Sequence, residues 1–202
     1  MFLAGKKALV TGAKRRIGRG IVLALAEAGC DVGINDTERD DDAEQTLDLS
    51  RKMGRKAEFY RADISDSAQV TRMVTEFVSQ FGQIDILVNN PYWSHNMPFL
   101  EIDEATWDRT MNVCLKGFFL SSQAAGREMV KQGWGGSIVS TSSVHADRAW
   151  PNDAGYGVAK AGVLRLTESM ARDLGQYGIR CNAIQPGYMN TDHVFGTEAP
   201  EV

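Results

Sequence analysis

Cysteine is scarce in this chain and forms no pattern: Cys30, Cys114 and Cys181 are odd in number, far apart and without a Cys-x-x-Cys. The three histidines, His95, His145 and His193, show no ligand spacing, so neither a metal site nor an oxidising compartment is expected. Long apolar runs are also missing. Nothing approaches the ~18 apolar residues of a membrane span, and Met1–Lys7 lacks the apolar stretch of a signal peptide. A cytoplasmic protein with no membrane partner is the expectation. Nor is there a basic excess: the formal net charge of -4 offers nucleic acid no electrostatic footprint. The one charge run, Asp40-Asp41-Asp42, reads as carboxylates in the first turn of a helix continuing through Met53, where the helix dipole favours them. Without repeats, low-complexity tracts or linkers, residues 1–202 read as a single domain, enough to bury roughly 70% of the unfolded surface.

Short apolar runs recur at Ala8–Val10, Val32–Ile34, Glu58–Tyr60, Ile84–Val88, Ile138–Val139 and Cys181–Ile184, separated by segments of helical periodicity. This alternation predicts an α/β protein with a doubly wound parallel sheet in the order 3-2-1-4-5-6 and helices on both faces. Ligands of such sheets bind outside the carboxyl ends of the strands.

Two chemical features stand at opposite ends of the chain. The segment Lys7–Gly12 reads as a buried strand entering a turn, and Ile17–Ala26 as an apolar-striped helix. A strand, a glycine turn and a helix N-terminus make a phosphate site, because unpaired N–H groups and the positive end of the helix dipole face the anion. Asp36 ends the next apolar segment, eighteen residues after Gly18, where an acidic residue can meet a ribose. Tyr156 and Lys160, four apart, share a helix face; a nearby ammonium predicts a phenol pKa below its usual value of about 10. Ser143, thirteen positions before Tyr156, supplies a second hydroxyl, with Ser142 beside it as the alternative.

With these residues the chain resembles the short-chain dehydrogenase/reductase family from Lys7 to about Asp192. Thr11–Gly18 is similar to the family's TGxxxGxG loop, Asp63 to its adenine-contacting aspartate, Asn89-Asn90 to its NNAG strand end, and Pro186-Gly187 with Thr191 to its nicotinamide-side PG motif. Asn112, Ser143, Tyr156 and Lys160 match the catalytic tetrad. The resemblance implies a Rossmann-like fold and an oxidoreductase acting on a small alcohol or carbonyl. Gly12, Arg15, Arg16, Ile17, Gly18, Asp36, Asp63, Ile64, Asn89, Asn90, Tyr156, Lys160, Pro186, Gly187, Met189 and Thr191 are then expected to hold the dinucleotide. Tyr156 is the expected general acid/base, Lys160 holds the nicotinamide ribose, Ser143 positions the substrate oxygen, and Asn112 holds a water linking Lys160 to solvent. Asp63 has a plainer alternative as the cap of a helix beginning near Ser65. The resemblance also implies a homodimer or homotetramer, through the helical segments Thr106–Met129 and Gly157–Leu174.

Three departures stand out. Arg16 replaces the middle glycine of the loop, Pro91-Tyr92 replaces Ala-Gly after the asparagines, and the chain stops at Val202, before the family's last helix and strand; a longer gene product is expected. Asp36 favours NAD over NADP, because a carboxylate accepts from free ribose hydroxyls and repels a 2′-phosphate, although Arg15 and Arg16 could approach that phosphate. A 3-oxoacyl-carrier-protein reductase and a non-catalytic dinucleotide-binding regulator are the alternatives.

Overall fold

The computed structural model describes residues 1–189. Its six parallel strands are β1 (Lys7–Thr11), β2 (Asp31–Asp36), β3 (Ala57–Arg61), β4 (Ile86–Asn89), β5 (Gly136–Thr141) and β6 (Ile179–Ile184), in the order β3-β2-β1-β4-β5-β6. The expected sheet order is therefore the observed one. Strand ends differ by a residue or two from the apolar runs; β4, for instance, runs from Ile86 to Asn89 rather than from Ile84 to Val88.

Side chains alternate across the sheet, as the strand period of two requires. Leu9 enters the core on one face with Phe77, Leu87, Met129 and Ile138, whereas its neighbours Ala8 and Val10 enter the other with Val22, Val32, Ile34 and Leu47. Helices α1 (Arg16–Ala28) and α2 (Asp41–Lys52) pack on each other beside β2. Helix α3 (Ser67–Phe81) turns Val70, Met73, Val74, Phe77 and Phe81 inward at helical spacing. Phe77 is fully buried, and a side chain of that kind contributes roughly 1.5–3 kcal/mol.

The segment expected as one helix around Thr106–Met129 is divided. Helix α4 (Glu104–Met111) passes through a π-helical turn, Asn112–Lys116, into α5 (Gly117–Gln132), with Gly117 N–H donating five residues back to the Asn112 carbonyl. Helix α6 (Ala154–Leu174) starts three residues earlier than the expected Gly157, which places Tyr156 in its first turn. No described helix is long and apolar enough to cross a membrane.

Candidate active site

The carboxyl ends of β1, β2, β4, β5 and β6 open into one cavity of about 510 Å³. At its phosphate-like end Gly12 leaves β1 with φ +60, and a Cβ there would lie 2.7 Å from Pro91. The Pro91 departure is thus a ring packed directly on the glycine turn. A Cβ on Gly18 would lie 2.1 Å from the Gly12 carbonyl oxygen, and Asn90 Nδ2 donates to that same oxygen at 2.9 Å. Arg15 is the N-cap of α1 in extended conformation, its side chain caps nothing, and the first turn holds no acid. The leading N–H groups of α1 therefore have no side-chain partner of the kind that usually satisfies them.

Arg16 sits at φ 52, the left-handed conformation that glycine adopts without cost. An L side chain there costs about 1–2 kcal/mol, partly offset by the greater unfolded-state entropy of glycine, about 0.4–1 kcal/mol. Arg16→Gly is expected to raise stability by about 0.5–1 kcal/mol, visible as a higher urea midpoint at unchanged slope. A lower midpoint would contradict the strain.

The loop is held from outside the cavity by α2. The Lys14 carbonyl accepts from Thr46 Oγ1 at 2.7 Å and from Arg19 Nε and Nη2 at 3.3 and 3.2 Å, while Arg19 also donates to Asp42 Oδ1 at 2.8 Å. Lys14 Nζ reaches Asp40 Oδ2 at 2.7 Å. The acidic run does begin a helix, with Asp40 as the cap accepting from Ala43 N–H. It also anchors the basic loop.

Asp36 lines the cavity beside Lys14, and its Oδ1 accepts from Thr37 N–H at 2.9 Å. Burial pushes its carboxyl above the ordinary value, with Thr37 N–H and the Lys14 charge acting against the rise. For Lys14 burial opposes the charge, yet the Asp40 hydrogen bond and the charges of Asp36, Asp40 and Glu38 outweigh it and raise the pKa.

At the other end of the cavity stand Ser143, Tyr156 and Lys160, with Pro186, Gly187 and Met189 beside them. Lys160 is 1% exposed; Nζ donates to the Thr141 carbonyl at 2.7 Å and lies 4.6 Å from the Phe118 ring centroid. Ser142 donates its hydroxyl to the Lys160 carbonyl at 2.8 Å. The Ser143 hydroxyl instead accepts from His145 N–H at 3.2 Å, leaving its own proton for another acceptor. Tyr92, the second residue of the Pro-Tyr departure, meets the Tyr156 ring edge-on at 6.3 Å.

The expectation of an acidic Tyr156 is overturned. Burial pushes its phenol up to about 12, with the Ser143 hydroxyl acting against the rise, and pulls the Lys160 ammonium down to about 8. Lys160 Nζ is 5.6 Å from the Tyr156 ring centroid, and both groups lose water in the same pocket, which disfavours each charged form. Between pH 10 and 12 the folded protein therefore keeps a proton on Tyr156 that an ordinary tyrosine has lost. An ultraviolet titration of ligand-free wild type against Tyr156→Phe should show no tyrosinate from this residue below pH 10; a difference signal near neutrality would refute it.

Other expected residues lie elsewhere. Asn112 closes α4 at the start of the π turn and does not line the cavity. Asn89, fully buried, donates Nδ2 to Ser122 Oγ at 2.9 Å. Asp63 Oδ1 accepts from the N–H and hydroxyl of Ser65, and Oδ2 faces Arg109 at 3.4 Å. It is not the cap of α3, which begins at Ser67 and is capped by Asp66. The Ile64 side chain is core, against Val70, Phe118 and Val163. Thr191 lies outside the described residues.

A family profile described as Enoyl-(Acyl carrier protein) reductase matches residues 12–201. The 2-dehydro-3-deoxy-D-gluconate 5-dehydrogenase of Dickeya dadantii is 36% identical over 192 residues, covering 95% of this chain and 74% of that protein. The 3-oxoacyl-(acyl carrier protein) reductase of Staphylococcus aureus is 39% identical over 187 residues, covering 93% and 76%. A crystal structure of NAD+-bound xylitol dehydrogenase superposes with a TM-score of 0.92 at 34% identity, covering 96% of this chain and 75% of that one. The chain belongs to the short-chain dehydrogenase/reductase family.

In this short-chain dehydrogenase/reductase, sequence reasoning missed the residues that hold the site from behind: Lys14, Arg19, Asp42 and Thr46 around the loop, and His145 and Asp153 beside Tyr156. One signal was available for the first group. Three consecutive carboxylates about one helix-turn-strand unit downstream of Lys14-Arg15-Arg16 and Arg19 are charge-complementary to them.

Proposed function

We propose that this short-chain dehydrogenase/reductase is an oxidoreductase that transfers a hydride between a nicotinamide dinucleotide and an alcohol or carbonyl, with Tyr156 as general acid/base. The single observation that carries the reading is one cavity lined at one end by Gly12, Gly18 and Asp36 and at the other by Ser143, Tyr156 and Lys160. The residues fit a dinucleotide. The glycine turn makes a cradle that a Cβ on Gly18 would fill, the N-terminus of α1 opens on it without a side-chain cap, and Lys160 lines the other end with one ammonium donor engaged among the described residues.

The bound dinucleotide supplies or accepts the hydride. In carbonyl reduction Tyr156 Oη gives its proton to the substrate oxygen, a role suited to a phenol that burial keeps protonated. Ser143 donates its hydroxyl proton to the same oxygen and orients it. Lys160 Nζ, anchored on the Thr141 carbonyl, holds the nicotinamide ribose with its remaining donors and favours the phenolate left by proton transfer. In alcohol oxidation the proton path reverses, so the rate should rise with pH. Asn112 as holder of a relay water remains part of the proposal, supported by its place at the π turn, a feature frequent at functional sites.

Asp36 supports NAD as the preferred cofactor, and Lys14 beside it is occupied by Asp40. Asp36→Ala is expected to shift the ratio of kcat/KM values from NAD toward NADP by roughly tenfold or more, since one relieved charge contact is worth on the order of 1–3 kcal/mol. An unchanged ratio would mean that the ribose does not meet this residue.

Substrate class divides along the two relatives named above: a sugar-acid hydroxyl or a 3-oxoacyl thioester. Steady-state assays with NAD and NADP over secondary alcohols, polyols, ketones and 3-oxoacyl thioesters test the whole reading. Turnover of any of them supports it, and dinucleotide binding with no turnover across the panel would favour the regulator instead. Phe119 on α5 and Val158 on α6 are exposed apolar residues, which supports a homodimer or homotetramer measurable by light scattering. A cytoplasmic location belongs to the same reading.

A further inference from the structure

Asp153 sits at the N-cap of α6, where an aspartate ordinarily accepts from the helix N–H groups, yet its side chain makes no capping bond. Its carboxylate is buried, 6% exposed, and a buried carboxylate without a partner is costly. The partner is His145, with Nδ1 and Asp153 Oδ2 2.5 Å apart. A carboxylate only accepts, so the imidazole carries its proton on Nδ1.

His145 in turn touches the proposed chemistry from two sides. Its ring stacks on Trp150 at 5.3 Å and 23°, and meets the Tyr156 ring edge-on at 5.5 Å and 78°. Its backbone N–H donates to Ser143 Oγ at 3.2 Å. Tyr156 follows Asp153 by three residues in the first turn of α6, and Asp153 closes that turn by accepting Gly157 N–H at 2.9 Å on its carbonyl.

We propose that His145 and Asp153 form one positioning unit for Tyr156 and Ser143: the buried carboxylate fixes the imidazole, the imidazole buttresses the phenol ring, and the same residue's main chain orients the serine hydroxyl. This rests on the assignment of Tyr156 as the acid/base group. The pair lies one layer behind the reacting atoms. A displacement of about 1 Å at reacting groups costs roughly a hundredfold in rate, so a loosened phenol lowers kcat while the dinucleotide contacts at Gly12, Gly18 and Asp36 stay in place.

The test uses the full chain and four variants: His145→Ala, Asp153→Ala, Asp153→Asn and the double His145→Ala/Asp153→Ala. The expected result is a fall in kcat of roughly tenfold to a hundredfold in each alanine variant, with the dinucleotide KM unchanged; His145→Ala, which leaves the buried Asp153 carboxylate unpaired, also lowers the melting temperature. The double variant should be no slower than the slower single, as for two residues acting as a unit. Asp153→Asn, which keeps a hydrogen-bonding group opposite the imidazole, should recover most of the loss. A kcat for His145→Ala within about twofold of wild type, or losses that multiply in the double variant, would overturn the unit. If Asp153→Ala fails to fold, His145→Ala and Asp153→Asn decide by the same criteria. Tyr156→Phe is assayed alongside: near-normal turnover there would remove the acid/base assignment itself, whatever His145→Ala shows.

Discussion

Tyr156→Phe is expected to lower kcat by at least roughly a hundredfold, the lower end of what a positioned general acid contributes, while dinucleotide affinity stays within a few-fold. The ring remains to pack against Tyr92 and His145, so only the proton is lost. Lys160→Ala should damage both quantities. It removes the ammonium from the Thr141 carbonyl and from the face of Phe118, and it empties a site that is 1% exposed, where a large-to-small change costs about 2–5 kcal/mol. Stopped-flow hydride transfer and fluorescence titration of the dinucleotide separate the two effects. Retention of near-normal rate by Tyr156→Phe would remove the residue from the mechanism.

Gly18→Ala is expected to weaken dinucleotide binding more than tenfold and to destabilise the protein by about 1–3 kcal/mol, the range for forcing extra volume into a packed site. The new methyl would fall 2.1 Å from the Gly12 carbonyl oxygen and 2.8 Å from Ala13 Cα. Both are backbone atoms of the cradle, so the loop itself must move. Two residues on, Gly20 faces open space, and Gly20→Ala in mid-helix should instead stabilise by about 0.5–1 kcal/mol through helix propensity. Opposite signs in two denaturation curves, with cofactor affinity lost only in the first, are the outcome that checks the cradle. Equal behaviour of the two variants would mean that the turn relaxes freely.

The sheet order was legible because each strand is a short apolar run bounded by turns, and parallel crossovers of one hand leave few arrangements. Gly12, Gly18, Asp36, Ser143, Tyr156 and Lys160 were legible for a related reason. Gly12, Asp36 and Ser143 fall at strand ends, Gly18 and Tyr156 in the first turns of α1 and α6, and Lys160 one turn further on, so a parallel sheet brings them to one side whatever their separation in the chain. Arg16 was readable as a side chain in a glycine position, and its φ of 52 follows from that position. Asp63 was harder: its spacing suited a cofactor contact or a helix cap; α3 is capped by Asp66, and the Asp63 carboxylate accepts from Ser65 and faces Arg109. The π turn at Asn112 was not legible, since one widened turn hardly disturbs a helical apolar stripe.

What the sequence alone determined is the arrangement of backbone elements and the residue types that meet at their carboxyl ends, because periodicity and turn residues are local properties of the chain. The tertiary structure decided the electrostatics and the supports. A four-residue spacing places Lys160 on the face of Tyr156, but the direction of the phenol's pKa depends on how much water the surrounding segments remove, and burial pushes it to about 12 rather than below 10. The clamp of Asp40 and Asp42 on the loop, and of Asp153 on His145, joins side chains from different elements. Such pairings depend on distances across packed elements, which periodicity along a single element does not encode.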